Sequence, residues 1–130
     1  MRLFRHPDPL AIIKLPAESP VPPWANEGRF SSVTRTSDEL SIVCEINLVP
    51  AELATTDRWV RLEVEGPLPC SLVGVLAALT KPLAEAGVSV FAIATHDTDH
   101  LLIRQHEEQF AQDALTETGH LVVGADPAHP

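Results

Sequence analysis

The sequence predicts an α+β protein of 130 residues whose second half has the element order β-α-β-β-α-β. Residues 59–65 predict a strand with apolar side chains at Trp59, Leu62 and Val64 and charged ones at Arg61, Glu63 and Glu65. Apolar residues then recur at three- and four-residue steps from Leu72 to Leu83, the period of an amphipathic helix. This order is typical of the ferredoxin-like unit, in which two helices cover one face of an antiparallel sheet.

The ends of these elements are marked by capping and turn residues. Gly66 and Pro67 end the first strand, Ser71 is the expected N-cap of the helix, and Gly87 is its expected stop. Pro82 lies inside the helical pattern and removes one backbone donor, so we expect a kink or a tightened last turn. The remaining predicted elements are strands at residues 88–94, 101–104 and 121–123 and a helix at residues 106–118.

The first half of the chain is predicted to be mostly β-structure. Prolines crowd its first 23 residues and exclude a long helix there, leaving one short strand at residues 10–15. Residues 30–36 and 40–44 are rich in β-favouring side chains and are joined by Ser-Asp-Glu at residues 37–39. This pattern predicts a β-hairpin.

The two hairpins of the chain echo each other at a shift of 61 residues, the distance from Thr34 to Thr95. Asp38, Leu40 and Ile42 match Asp99, Leu101 and Ile103 at the same shift. Short turns also converge on Asp, Ser and Thr, because these residues bond their own backbone. The echo favours two related, tandem half-domains with antiparallel sheets. We expect an abbreviated first half at residues 1–56, a second at residues 57–124, and a flexible tail at residues 125–130.

Charge and composition exclude several classes of partner. The formal net charge is −9 and no stripe of Lys and Arg occurs, so nucleic acid and anionic membranes are poor partners. The chain has no run of 18 apolar residues, so no membrane span is predicted. Its first residues lack the apolar core of a signal peptide. Cys44 and Cys70 lack metal or redox spacing. We therefore expect a cytoplasmic protein with two structural thiols and no cofactor.

Residues 95–100 form a polar cluster between two apolar runs, with two carboxylates, two imidazoles and two hydroxyls. A metal could use His96, Asp97, Asp99 and His100. In a strand, however, the two histidines would point to one face and the two carboxylates to the other, and no zinc motif supports the site. Neither a nucleophile elbow nor a phosphate-binding glycine loop occurs, so the sequence does not predict an enzyme.

The run GPLPCSLVGVLA at residues 66–77, together with residues 82–91 and 95–100, resembles the ACT-domain proteins of the short bacterial tandem type. Residues 30–44 resemble the N-terminal half of the same group. The resemblance implies ferredoxin-like regulatory modules that bind amino acids or other small ligands, usually at an interface between two such domains. It also implies a relation to eukaryotic amino-acid sensors, including arginine sensors.

The resemblance further implies a ligand site built from two loops. These loops contain Ser71, Leu72, Val73 and Gly74, and Thr95, His96, Asp97 and Asp99. The arginine sensors carry an acidic residue before the glycine, where this chain has Leu72 and Val73. The change removes one partner for a cationic ligand and leaves amino-acid binding open.

The chemistry of these loops suits the two ends of an amino acid. Asp99 can hold an ammonium group, and the helix start near Gly74 can hold a carboxylate. In the alternative interpretation, the same residues only cap a turn and a helix. We therefore carry two hypotheses, a homodimeric small-molecule sensor with a possible protein partner, and a structural or protein-interaction domain without a ligand.

Overall fold

The computed structural model describes residues 1–69 and 71–125, so Cys70 and residues 126–130 of the predicted tail lie outside the described residues. The chain forms two compact units. Unit 1 comprises Met1–Pro7 and Trp59–Pro130, and unit 2 comprises Asp8–Arg58. The first residues of the chain thus cluster with its second half. The division at residues 56 and 57 into related halves stays a prediction.

The elements follow in chain order: β1 (Arg2–Leu15), β2 (Ser31–Arg35), β3 (Leu40–Glu45), β4 (Trp59–Val64), α1 (Val75–Glu85), β5 (Phe91–Ala94), β6 (Asp99–Arg104), α2 (Glu108–Glu117) and β7 (Leu121–Gly124). Short 3-10 turns occur at Pro23–Asn26, Ile46–Leu48, Ala51–Leu53 and Gln105–Glu107. The order β-α-β-β-α-β from β4 to β7 confirms the predicted fold class. Within the described ranges, no helix is long and apolar enough to cross a membrane.

The sheet of unit 1 contains the four predicted strands β4, β5, β6 and β7 and, in addition, the first residues of β1. Its strands lie in the order β1-β4-β6-β5, and β7 pairs with Arg2–Arg5 of β1 in parallel. The backbone N–H of Glu65 donates to the carbonyl of Arg2 at 2.8 Å. The strand predicted at residues 10–15 is therefore too short. Pro7 and Pro9 do not stop it, because they lie between the segment that pairs with β7 and the segment that pairs with β3.

The core of unit 1 lies between one face of this sheet and the helices α1 and α2. Its buried residues are Leu3, Val60, Leu62, Val64, Leu79, Leu83, Val88, Leu101, Ile103, Ala111, Ala114 and Leu115. Successive side chains of a strand point to opposite faces, so Trp59 lies on the same face as Arg61. The prediction that Trp59 belongs with Leu62 and Val64 to the apolar side of the strand was therefore wrong. Arg61 is also only 5% exposed, although arginine side chains are mostly exposed in proteins.

The start of α1 differs from the prediction, whereas its end agrees with it. Ser71 is not the N-cap, because the helix begins at Val75 after Gly74, whose φ of 83° is left-handed. At the other end Gly87 has a φ of 75°, and the N–H of Val88 donates to the carbonyl of Leu83 at 2.9 Å. The helix continues through Pro82 to its last residue.

Unit 2 is a three-stranded antiparallel sheet with β3 at its centre, between β1 and β2. The hairpin predicted from residues 30–44 is present as β2 and β3. One face of the unit is apolar, and its buried residues are Ala11, Ile13, Ala25, Leu40, Ile42 and Cys44. Unit 2 contains 3-10 turns but no α-helix.

The hairpin turns of the two units have the same hydrogen bond. The N–H of Thr36 donates to the carbonyl of Glu39, and the N–H of Thr95 donates to that of Thr98, each at 2.9 Å. These turns coincide at a shift of 59 residues, the distance from Thr36 to Thr95, and not at the shift of 61 that the identities suggested. The two shifts differ by two residues, which is the period of a strand. Either shift therefore aligns the same face of the strands in the two hairpins.

Candidate functional site

The β5–β6 turn of unit 1 faces a cleft of about 230 Å³. Its opposite wall is the segment that leads into α1. The residues that line the cleft are Leu68, Pro69, Leu72, Val75, Thr95, His96, Asp97, Thr98 and Asp99. The cleft therefore has one apolar wall and one polar wall.

The polar wall is held by hydrogen bonds that reach beyond the turn. The Thr98 hydroxyl donates to the carbonyl of Val64 at 2.5 Å, and the N–H of Leu68 donates to the carbonyl of Asp97 at 2.6 Å. Within the turn, the Thr95 hydroxyl donates to the carbonyl of Thr98 at 2.9 Å. These hydrogen bonds fix the backbone of the turn that carries the Asp97 and Asp99 carboxylates.

Gly66 allows this close approach between the end of β4 and the turn. A Cβ atom at this position would lie 3.0 Å from the carbonyl oxygen of Asp97 and 3.1 Å from Cβ of Thr98. Both distances are shorter than ordinary van der Waals contacts. The absence of a side chain at Gly66 therefore sets the spacing between the strand end and the turn.

The two carboxylates of the polar wall have different surroundings. Asp97 is 71% exposed, and one of its oxygens lies 2.8 Å from Nδ1 of His96. Asp99 is half-buried, begins β6 and pairs with Ala94 of β5. Within the described parts of the chain, no hydrogen bond or ion pair engages the Asp99 carboxylate. Of the two carboxylates, Asp99 is therefore the one that no described group engages.

The segment that forms the apolar wall extends from the core of unit 1 to the protein surface. Leu68 and Val75 pack against the buried cluster, whereas Leu72 is 50% exposed and Val73 is 90% exposed. The loop is folded back on itself, because the N–H of Leu72 donates to the carbonyl of Pro69 at 3.0 Å. No side-chain hydrogen bond among the described residues caps the N-terminus of α1.

The structure brings together five of the eight predicted site residues, namely Leu72, Thr95, His96, Asp97 and Asp99. Ser71, Val73 and Gly74 stand next to the cleft in sequence but do not line it. Four lining residues were not predicted, namely Leu68, Pro69, Val75 and Thr98. Leu68 and Pro69 belong to the GPLP run at residues 66–69. In the sequence this run indicates the end of the β4 strand but does not indicate that its residues line a cleft.

The alternative metal site does not assemble. His96 is exposed beside Asp97, whereas His100 is buried and its Nδ1 lies 3.3 Å from Nη1 of Arg61. Among the residues that the structure describes, no group of three or more His, Cys, Asp or Glu side chains could hold a metal ion.

A second polar cluster lies on the sheet face opposite the helices of unit 1, and the sequence did not predict it. The Glu63 carboxylate is 2.9 Å from Nε2 of His6 and 3.3 Å from Nη1 of Arg61. Burial and the charge of Arg61 lower the pKa of His100 to about 4. Burial alone would raise the pKa of Glu63, but the hydrogen bond from His6 and the nearby positive charges lower it overall.

Residues 54–117 match the family model of the ACT domain, and residues 8–52 match a separate model of an N-terminal domain. Protein Atu0741 from Agrobacterium tumefaciens is 33% identical, with a TM-score of 0.88 over 99% of this chain and 96% of that one. A Vibrio cholerae protein of unknown function, VC0802, described as a possible transport protein, is 21% identical. Its TM-score is 0.71 over 89% of each chain, which shows a shared fold.

Proposed function

Because residues 54–117 match the family model of the ACT domain, we propose that the chain is a regulatory protein that binds a free amino acid. The observation that supports this most directly is the half-buried Asp99 carboxylate, which no described group engages, on a cleft beside the start of α1. An amino acid carries an ammonium and a carboxylate, and the cleft offers a partner for each.

In this proposal, Asp99 binds the ammonium group through a charge-assisted hydrogen bond. The backbone N–H groups at the start of α1, after Gly74, bind the carboxylate, aided by the partial positive charge of a helix N-terminus. Asp97 and Thr98 shape the turn, since the backbone of one and the hydroxyl of the other hold it to neighbouring segments. Ser71 and Val73 belong to the loop that carries the apolar wall.

We further propose that the protein is a cytoplasmic homodimer that signals through an unidentified protein partner. β5 is the last strand in the order β1-β4-β6-β5 and pairs only with β6 in that order. Its Ala92 and Ala94 are exposed. An edge strand is a template for pairing with a second chain, and native proteins usually cover it. Light scattering should give twice 14.1 kDa for the dimer, and a value of 14.1 kDa at tens of micromolar would refute it.

A thermal-shift panel of free amino acids tests the ligand proposal. A ligand at a hundred times its dissociation constant stabilises the folded state by about 2.7 kcal/mol. Replacing Asp99 by Asn keeps the size of the side chain and removes its charge. We expect Asp99→Asn to weaken binding about ten- to a hundredfold, since a hydrogen bond to a charged group contributes about 1.5–3 kcal/mol.

The matched control is Asp38→Asn, which makes the same change in the exposed hairpin turn of unit 2. It should leave both affinity and melting temperature unchanged. Equal affinity in the wild type and Asp99→Asn, measured by calorimetric titration, would remove Asp99 from the site.

The second candidate function is a structural or protein-interaction domain without a ligand, which the exposed edge of β5 favours. It predicts a dimer that no amino acid stabilises. An enzymatic role has less support, because ACT domains are typically regulatory and neither structural relative is described as an enzyme.

A further inference from the structure

We infer that the amino acid bound in the cleft has an aliphatic side chain, which packs against Leu68, Leu72 and Val75. This inference rests on the proposed function and adds the chemical class of the ligand. It starts from the composition of the wall opposite the acidic turn, where every lining residue is apolar.

The apolar wall contains one leucine that is exposed to solvent. Leu72 leaves half of its surface in water, although the neighbouring Leu68 and Val75 already contact the core of unit 1. A ligand with an apolar side chain would extend that core outward and remove Leu72 from water, which is favourable in proportion to the apolar area buried. A polar side chain in the same place would lose its hydration without gaining a partner.

The charges of the cleft separate the remaining ligand classes. Asp97 and Asp99 would repel an acidic ligand side chain. A lysine or arginine side chain would meet only Leu68, Leu72 and Val75 once Asp99 held the α-ammonium. Asp97 is a poor second anchor, because it is 71% exposed and within 2.8 Å of His96. An aliphatic side chain has neither problem.

The size of the cleft fits a small ligand. Its volume of about 230 Å³ lies below the roughly 300–1,000 Å³ that is typical of pockets for drug-sized ligands. This space suits a single free amino acid, and a peptide would have to extend beyond it. The class that remains is therefore the aliphatic amino acids, such as leucine, isoleucine and valine.

Calorimetric titration of the full chain with leucine, asparagine, lysine and glutamate tests this class. Asparagine is a close match to leucine in size and shape, so the pair isolates polarity. We expect leucine to bind at least tenfold more tightly than asparagine, the discrimination typical of an apolar pocket, and more tightly than both charged amino acids. Preference for asparagine, lysine or glutamate would overturn the inference.

A pair of loop variants tests the contact itself. Leu72→Asn makes the wall polar at nearly constant size, and should weaken leucine binding about tenfold while leaving alanine binding unchanged. Leu121→Asn makes the same change at a 55% exposed position of β7 outside the cleft lining, and as the control it should leave both affinities unchanged. Unchanged leucine binding in Leu72→Asn would refute the proposed contact.

The outcomes for the two proposals are distinct. Binding of a polar amino acid that Asp99→Asn weakens would keep the proposed function and overturn the aliphatic class. If none of the free amino acids binds, the proposed function fails and the aliphatic class fails with it.

Discussion

Nη1 of Arg61 lies 3.3 Å from Nδ1 of His100, and both side chains are buried. A guanidinium group can only donate, so the imidazole nitrogen accepts this hydrogen bond and carries no proton. The geometry thus holds His100 in its neutral form. Its lowered pKa of about 4 has the same origin, since burial and the charge of Arg61 both disfavour the imidazolium.

The neutral His100 predicts a loss of stability in mild acid. The unfolded chain protonates this histidine near pH 6.5, whereas the folded protein does so only near pH 4. The unfolded state therefore binds more protons in this window, and the free energy of unfolding should decrease as the pH falls from about 6.5 to 4. The slope from one such group is at most about 1.4 kcal/mol per pH unit. Urea denaturation at several pH values measures it.

The control pair for this prediction is His100→Gln and His96→Gln. The first removes the buried imidazole and keeps an acceptor for Arg61, so the slope between pH 6.5 and 4.5 should flatten. The second removes an exposed imidazole and serves as the comparison. Glu63, whose pKa is lowered, adds stability that is present above its ordinary value and lost at more acidic pH. A wild-type stability that is constant from pH 6.5 to 4 would contradict the assignment.

Glu63→Gln should be one of the most destabilising single changes in the β4 strand. It removes the negative charge beside the buried Arg61 and His6. Removing one partner of a buried ion pair typically costs about 3–5 kcal/mol. The matched control is Glu65→Gln, because Glu65 pairs with Arg2 at a site where the two side chains are 47% and 53% exposed. That change should cost less than about 1 kcal/mol, and similar losses for both variants would refute the prediction.

Gly66→Ala should disturb the cleft through packing alone. The added methyl group would press against the Asp97 carbonyl and Thr98, and such overpacking costs about 1–3 kcal/mol. Gly124→Ala is the control, since a Cβ there meets no described atom within 4 Å, and its effect should stay within about 0.5 kcal/mol. Differential scanning calorimetry compares the two variants. Equal melting temperatures would show that the turn yields without cost.

Thr98→Val should destabilise unit 1 by about 1–3 kcal/mol, because it keeps the shape of the side chain and deletes the hydrogen bond to the carbonyl of Val64. Thr34→Val, at an exposed position in β2, serves as the control and should be nearly neutral. Chemical denaturation gives both values. If Thr98→Val is as neutral as Thr34→Val, the hydrogen bond from the Thr98 hydroxyl to Val64 contributes no net stability.

The sequence predicts the order of elements in unit 1 because periods of 2 and 3.6 residues depend only on which side chains face the core. The same rule misplaces the start of α1. Leu72 continues the apolar period, but it lies in the cleft wall and the helix begins only after the left-handed Gly74. Periodicity cannot separate an apolar residue that faces the core from one that lines a surface cleft.

The site is predicted only in part for a related reason. The acidic turn can be recognised in the sequence as a local cluster of polar residues, and this cluster includes Asp99. The bond from Thr98 to Val64 joins residues 34 positions apart, so no short pattern reveals it. The burial of Arg61 cannot be predicted from a short sequence pattern either, because its partner His100 is 39 positions away and lies on another strand.

The pairing of β1 with β7 sets an order of events during protein synthesis. Arg2–Arg5 pair with Leu121–Gly124, and the terminal amino group lies 3.0 Å from Nδ1 of His120, 119 positions later. The ribosome releases the first of these strands long before the second, so the sheet of unit 1 stays incomplete until residues 121–124 have emerged. The strands of unit 2 are all available after Glu45. Nascent chains should therefore form the smaller, purely β unit first, and unit 1 last.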